Sequence, residues 1–185
     1  MKKYLYSSFL IVIILVSSLI IFQLWKLNNI NDKNGINIAN IKKGNFKSEL
    51  LEDTIEKFKV ETKKSNIEIS KFSLIKYDNK TYYKMSINNL KNSEYLIHYE
   101  GINVSALYAS IFNVNEANMP TVENIITTLI CVSDKNIDKI ESKKICSELL
   151  LTVDKNKNSS QLKYKNNLIY TLEITDNSNI IFSIK

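Results

Sequence analysis

Apolar positions follow three patterns along this chain: one unbroken block, then stretches at helical spacing, then stretches that alternate. The block runs from Tyr4 to Trp25, 22 residues without a charge. As a helix it is about 33 Å long, enough to cross a ~30 Å hydrocarbon core. Tyr4, Tyr6 and Trp25 stand at its two ends, where amphipathic rings favour the headgroup zone. A removable export signal has an apolar region of only about 7–15 residues, followed by a small-x-small cleavage site. Here the block is longer and ends Gln23-Leu24-Trp25-Lys26, and no cysteine follows closely to carry a lipid. Residues 1–26 therefore read as a retained membrane anchor. Lysines near the span bias its orientation little, with Lys2 and Lys3 before it and Lys26 and Lys33 after it. The short tail before the span favours a cytoplasmic N-terminus and an extracytoplasmic domain. A type IV pilin stem would need a glycine before its first aromatic residue and a glutamate five positions later. Neither is present, and no acid precedes Asp32.

Residues 27–47 are rich in Asn and Lys with sparse apolar positions, and read as a juxtamembrane tether. Helical spacing begins after it, and residues 48–185 form the folded domain. Ser48 is the expected N-cap, and Leu51, Ile55 and Phe58 recur along one face. Glu49, Glu52, Asp53 and Glu56 line the opposite face, where a helix keeps solvated charges, so this stripe is not taken as a metal site.

Alternation follows. Residues 66–77 are β-rich, Asp78-Asn79 is a turn, and Tyr83, Met85 and Ile87 share one side of 81–87. Residues 94–100 alternate Tyr95, Ile97 and Tyr99, while 104–112 fits both a helix and a fourth strand, of which the strand is preferred. Beyond Pro120 the spacing turns helical again, with Thr121 as the expected N-cap and Val122, Ile125, Ile126, Leu129 and Ile130 behind it. Ser133 to Asn136 breaks the run. Ile137–Leu151 predicts a second helix with Ile140, Ile145 and Leu149 inward. The QLKYK, LIYTLEIT and NIIFSIK segments then form a three-stranded meander.

Ile75-Lys76-Tyr77 through Tyr83, Met85 and Ile87 aligns without a gap to Leu162-Lys163-Tyr164 through Tyr170, Leu172 and Ile174. Both halves thus lay helices on an antiparallel meander, helix–β-meander and then helix–helix–β-meander, an α+β fold. The block from Thr121 to Ile184, ending in its "IYTLEIT…IIFSI" hairpin, resembles small anchored envelope proteins and lipoproteins of low-GC bacteria. Helical layers on such sheets recur in the SmpA/BLIP-like architecture. That resemblance implies an envelope location and a shape; it implies no activity, and the lipoprotein members' anchoring cysteine is absent.

Composition narrows the chemistry. All 25 basic residues are lysine, which removes the bidentate guanidinium contacts of sequence-specific nucleic-acid readout. The net charge of +6 falls to a near-balanced surface once the lysines flanking the anchor are set aside. Three glycines exclude Gly-rich phosphate loops and nucleophile elbows. The single histidine, His98, lies on the strand face opposite Tyr95, Ile97 and Tyr99 and is expected to be partly exposed. Cys131 and Cys146 fall at unequal distances from the turn of a helical hairpin and read as small core residues. No catalytic, cofactor-binding or metal residue is assigned. The function that fits is a non-enzymatic interaction or accessory module at the membrane. Its partners would be the bilayer through residues 4–25 and a protein met at an exposed sheet edge or a tyrosine-rich face. Alternatives are a pilin-like or secretion-apparatus subunit and an envelope enzyme without a motif.

Overall fold

A computed structural model describes residues 50–153, 157–175 and 178–185. The anchor, the tether, Ser48 and Glu49 lie outside these residues. Among those described, no helix is long and apolar enough to cross a membrane.

Helix α1 (Leu51–Lys64) buries Thr54, Phe58 and Thr62. The sequence places the apolar face correctly: Leu51 and Ile55 pack partly buried beside the core, while Glu52, Asp53 and Glu56 are exposed. Four strands follow as a meander, β1 (Ser73–Tyr77), β2 (Lys80–Ser86), β3 (Glu94–Glu100) and β4 (Asn103–Ile111). A short 3-10 turn (Glu116–Asn118) leads into α2 (Met119–Ser133) and α3 (Lys139–Leu151). The chain closes with β5 (Ser159–Lys163), β6 (Ile169–Ile174) and β7 (Ile180–Ile184). All seven strands join one antiparallel sheet in the order β1-β2-β3-β4-β7-β6-β5. Two meanders therefore meet edge to edge at β4 and β7. The hairpins that echo each other in sequence, β1–β2 and β5–β6, occupy opposite rims.

The register sorts residues onto two faces. On the helix side, one row across the sheet runs Met85, Tyr95, Ala109, Phe182, Leu172 and Ser160. A second runs Tyr83, Ile97, Leu107, Ile184 and Tyr170. The helices cover these rows with Phe58, Ile125, Ile126, Leu129, Ile145 and Leu149, all buried in one cluster with them. Phe58 packs its ring 5.2 Å from that of Tyr95, and the Tyr95 hydroxyl donates to the Ile125 carbonyl at 3.0 Å.

Eight non-glycine residues among those described hold positive φ, and six are asparagine: Asn66, Asn79, Asn92, Asn113, Asn158 and Asn167. Asparagine tolerates the left-handed region better than most side chains. In a chain with three glycines it takes over the turn positions. Asp78 and Asn79 both have positive φ (47° and 61°), which makes the β1–β2 connection a two-residue turn matched to strand twist.

Three expectations are corrected. Thr121 does not cap α2. The helix begins at Met119 behind Asn118, and the lead-in turn is closed by a reciprocal pair of Asn115 and Asn118 side-chain bonds. Pro120 fits the first turn because its fixed φ suits a helix start and its missing N–H has no partner there. Ile140 is 68% exposed rather than inward, because α3 turns Ser142, Ile145, Cys146 and Leu149 to the core and a residue five before Ile145 and nine before Leu149 falls on the far side of the helix. The β-rich stretch 66–77 forms a strand only from Ser73, with Ile69 touching Ile87 in a single bridge.

Asp138 caps α3, its carboxylate accepting from the Glu141 amide at 2.7 Å. Replacing a cap of this kind by alanine costs about 0.5–2 kcal/mol. Asp138→Ala is expected to lower the thermal midpoint accordingly, and an unchanged midpoint would show the cap to be idle.

Candidate interaction surface

The sheet face away from the helices follows different chemistry. One row reads Ser73, Lys84, Leu96, Tyr108, Ser183, Thr171 and Gln161. The next reads Ser86, Glu94, Ser110, Ile181, Glu173 and Ser159. Hydroxyls replace the aliphatic groups of the other face. Even so, Tyr82, Leu96, His98, Ala106, Tyr108 and Ser110 on this face are buried.

His98 is therefore not partly exposed, as its strand position suggested, but 4% exposed. Its Nδ1 lies 2.5 Å from the Ser105 hydroxyl, and the Tyr82 ring packs 4.9 Å from the imidazole. Ser105 reaches it because the β3–β4 register shifts between His98 and Tyr99, leaving Ser105 without a strand partner. Such a bulge re-aims one side chain. A serine against an imidazole has the outline of an activated nucleophile, yet the same hydroxyl also lies 3.2 Å from the His98 carbonyl. That geometry satisfies buried polar atoms locally. Burial holds the His98 pKa below its usual value, with Lys80 adding to the effect and Glu100 opposing it.

Because that folded pKa lies below the unfolded one, the unfolded chain takes up a proton first as pH falls. Stability is full above about 6.5, the unfolded value, and declines as pH falls from there through the folded pKa. His98→Gln is expected to flatten this part of the stability–pH curve in denaturant titrations. An unchanged slope would mean that His98 titrates alike in both states.

Hydroxyl satisfaction on this face is incomplete. The Tyr82, Tyr108 and Ser110 oxygens are buried without a hydrogen-bond partner. Burial raises both phenols, Tyr82 up to about 12 and Tyr108 further. The Tyr82 and Tyr108 rings sit edge to face, with centroids 6.4 Å apart.

The helical layer carries two clefts beside α1. One, of roughly 500 Å³, is lined by Lys57, Glu61, Lys64, Thr128, Cys131 and Lys139 among others. Its neighbour is lined by Asp53, Glu56, Val60, Asp134 and Lys135. Both mix the two signs of charge. Lys57 is held below the usual lysine range, first by burial and then by Lys135, against the opposing pull of Asp134. Glu141 is lowered by hydrogen bonds from Lys165 and Tyr164. No group of three metal-ligating side chains gathers among the described residues. Cys131 and Cys146 are free thiols, Cys146 buried in the core and Cys131 half-buried beside the first cleft.

The two rims of the sheet differ. At β5, Ser160 is buried and its hydroxyl donates to the Leu149 carbonyl at the end of α3. At β1, every residue but Ile75 is exposed, including Leu74 at 54% and Tyr77 at 44%. β1 contains no proline and no bulge, and Lys76 is its one charge. Sheets normally blunt their edges with such devices, and here only the lysine is present. Sequence reading offered an exposed edge or a tyrosine-rich face as the working surface. Tyr82, Tyr95, Tyr108 and Tyr170 are buried, whereas Tyr77 on the β1 edge is exposed and Tyr83, Tyr99 and Tyr164 are partly so.

Comparison with protein families, with curated proteins and with solved structures finds no match to this chain.

Proposed function

We propose that the chain is a membrane-anchored, extracytoplasmic interaction or accessory module, held at the bilayer by residues 4–25 and acting without catalysis. The observation that carries this reading is the β1 rim, an apolar edge strand with Leu74 and Tyr77 exposed. An edge of this kind offers a row of backbone donors and acceptors to another extended chain. The His98–Ser105 pair, whose hydroxyl also lies against the His98 carbonyl, and the mixed charge of the two clefts add no reaction to it. Location follows from the uncharged block and from the resemblance of Thr121–Ile184 to anchored envelope proteins.

The test is a photo-reactive amino acid in place of Tyr77, introduced into the full chain in its native cell. Adducts to protein are expected at Tyr77 and not at Lys163 on the opposite rim. Equal adduct formation at both rims, or none at Tyr77, would refute the edge as a working surface. Fractionation of the same cells tests the anchor: the chain should resist extraction by alkaline carbonate, and release into the soluble fraction would remove the membrane from the reading.

A further inference from the structure

We infer that the partner of β1 is a second copy of this chain, paired antiparallel about Ile75 so that the sheet continues across a twofold axis. The inference rests on the interaction-module reading and gives its edge one occupant.

The pairing follows from the hairpin. A two-residue turn is closed by a hydrogen-bonded pair, here Tyr77 with Lys80. Antiparallel ladders alternate hydrogen-bonded and non-hydrogen-bonded pairs. Ser73, Ile75 and Tyr77 therefore direct their backbone groups to Lys84, Tyr82 and Lys80 of β2. Leu74 and Lys76 direct theirs outward, away from the sheet. A second β1 can pair only if its own outward residues meet these two.

Three registers meet that condition. Centring on Lys76 sets two ammonium groups opposite each other, which opposes pairing. Centring on Leu74 brings Phe72 opposite Lys76, but Phe72 lies before the strand and packs against the core. Centring on Ile75 uses the five strand residues and nothing else. It sets Leu74 against Lys76 twice, Ser73 against Tyr77 twice, and Ile75 against itself. No lysine faces a lysine, and the lysine stem lies along the exposed leucine, an arrangement that covers apolar surface and leaves the ammonium in water. Ile75 and Tyr77 of each copy fall on the hydroxyl-bearing face and Leu74 on the helix face, so the added strand covers both exposed apolar groups.

The register makes a specific cross-linking pattern. Ile75 faces its counterpart in a non-hydrogen-bonded pair, where Cα atoms stand about 4.5 Å apart, within disulfide reach. The full chain carrying Ile75→Cys, reconstituted in lipid vesicles and mildly oxidised, is expected to shift from 21.4 kDa to twice that mass on a non-reducing gel. The unaltered chain, with its own Cys131 and Cys146, should remain monomeric. Ser73→Cys and Tyr77→Cys should each stay monomeric alone and cross-link when mixed. The inference is overturned if Ile75→Cys stays monomeric, if Gln161→Cys on the other rim dimerises equally, or if Ser73→Cys links to itself as readily. Adducts of Tyr77 to a different protein, together with a monomeric Ile75→Cys chain, would sink the self-pairing and leave the interaction module standing. Loss of both signals would remove both.

Discussion

Phe182→Ala is expected to lower the unfolding free energy by about 3–5 kcal/mol, the usual loss for a large aromatic side chain cut from a core. Phe182 is fully buried on β7, between Ala109 on β4 and Leu172 on β6, with its ring stacked 6.5 Å from Tyr170. It sits where the two meanders join, so both lose contacts together. Single domains are stable by only about 5–15 kcal/mol, and the variant should unfold at a clearly lower urea concentration with an unchanged slope. Leu151→Ala, at a position 86% exposed, is the control. Equal shifts for the two variants would mean that the core does not lie at the β4–β7 junction.

Tyr82→Phe and Tyr108→Phe together are expected to have the opposite sign. Both rings are buried and both hydroxyls lack a partner. Leaving a buried polar group unpaired costs about 1–3 kcal/mol. Removing the oxygens keeps the ring packing and takes that cost away, so the double variant should gain stability in the same urea assay. A loss would show that the two hydroxyls are hydrogen-bonded in solution. The measurement separates a face that tolerates polar groups from one that uses them.

What the sequence made legible was local. The alternation of Tyr95, Ile97 and Tyr99 predicted β3 to the residue, and Asp78-Asn79 forms the expected turn between β1 and β2. The choice of strand for 104–112 also agrees with β4, whose Leu107, Ala109 and Ile111 join the core. The failures have two causes: a helix phase that the spacing itself contradicts, and neighbours that the local pattern does not contain. Ile140 is three residues from Ile137 but nine from Leu149, half a turn out of phase, so with Ile145, Cys146 and Leu149 inward it faces solvent. His98 sits on the polar side of its strand, and its contacts with Tyr82 and Ser105 appear only in the tertiary fold. The same limit applies to the β1 rim. SLIKY reads as an ordinary strand, and nothing in those five residues tells whether they lie at the centre of a sheet or at its edge. Edge position is a property of strand order, and strand order emerges only when two distant meanders are joined.

That join has a kinetic side. Ile111 pairs with Ile180, 69 positions further along the chain, and all five β4–β7 partners are comparably remote. Closing so wide a loop is entropically slow, and mixed folds with many such pairings reach the native state late. During synthesis the first meander is made first, with the β7-facing side of its nine-residue, largely buried β4 still open. A nascent chain at that stage displays two edges, one on each rim. Only the inner one has a match encoded downstream, so the interval before β7 arrives is when this protein is most exposed to pairing with the wrong strand.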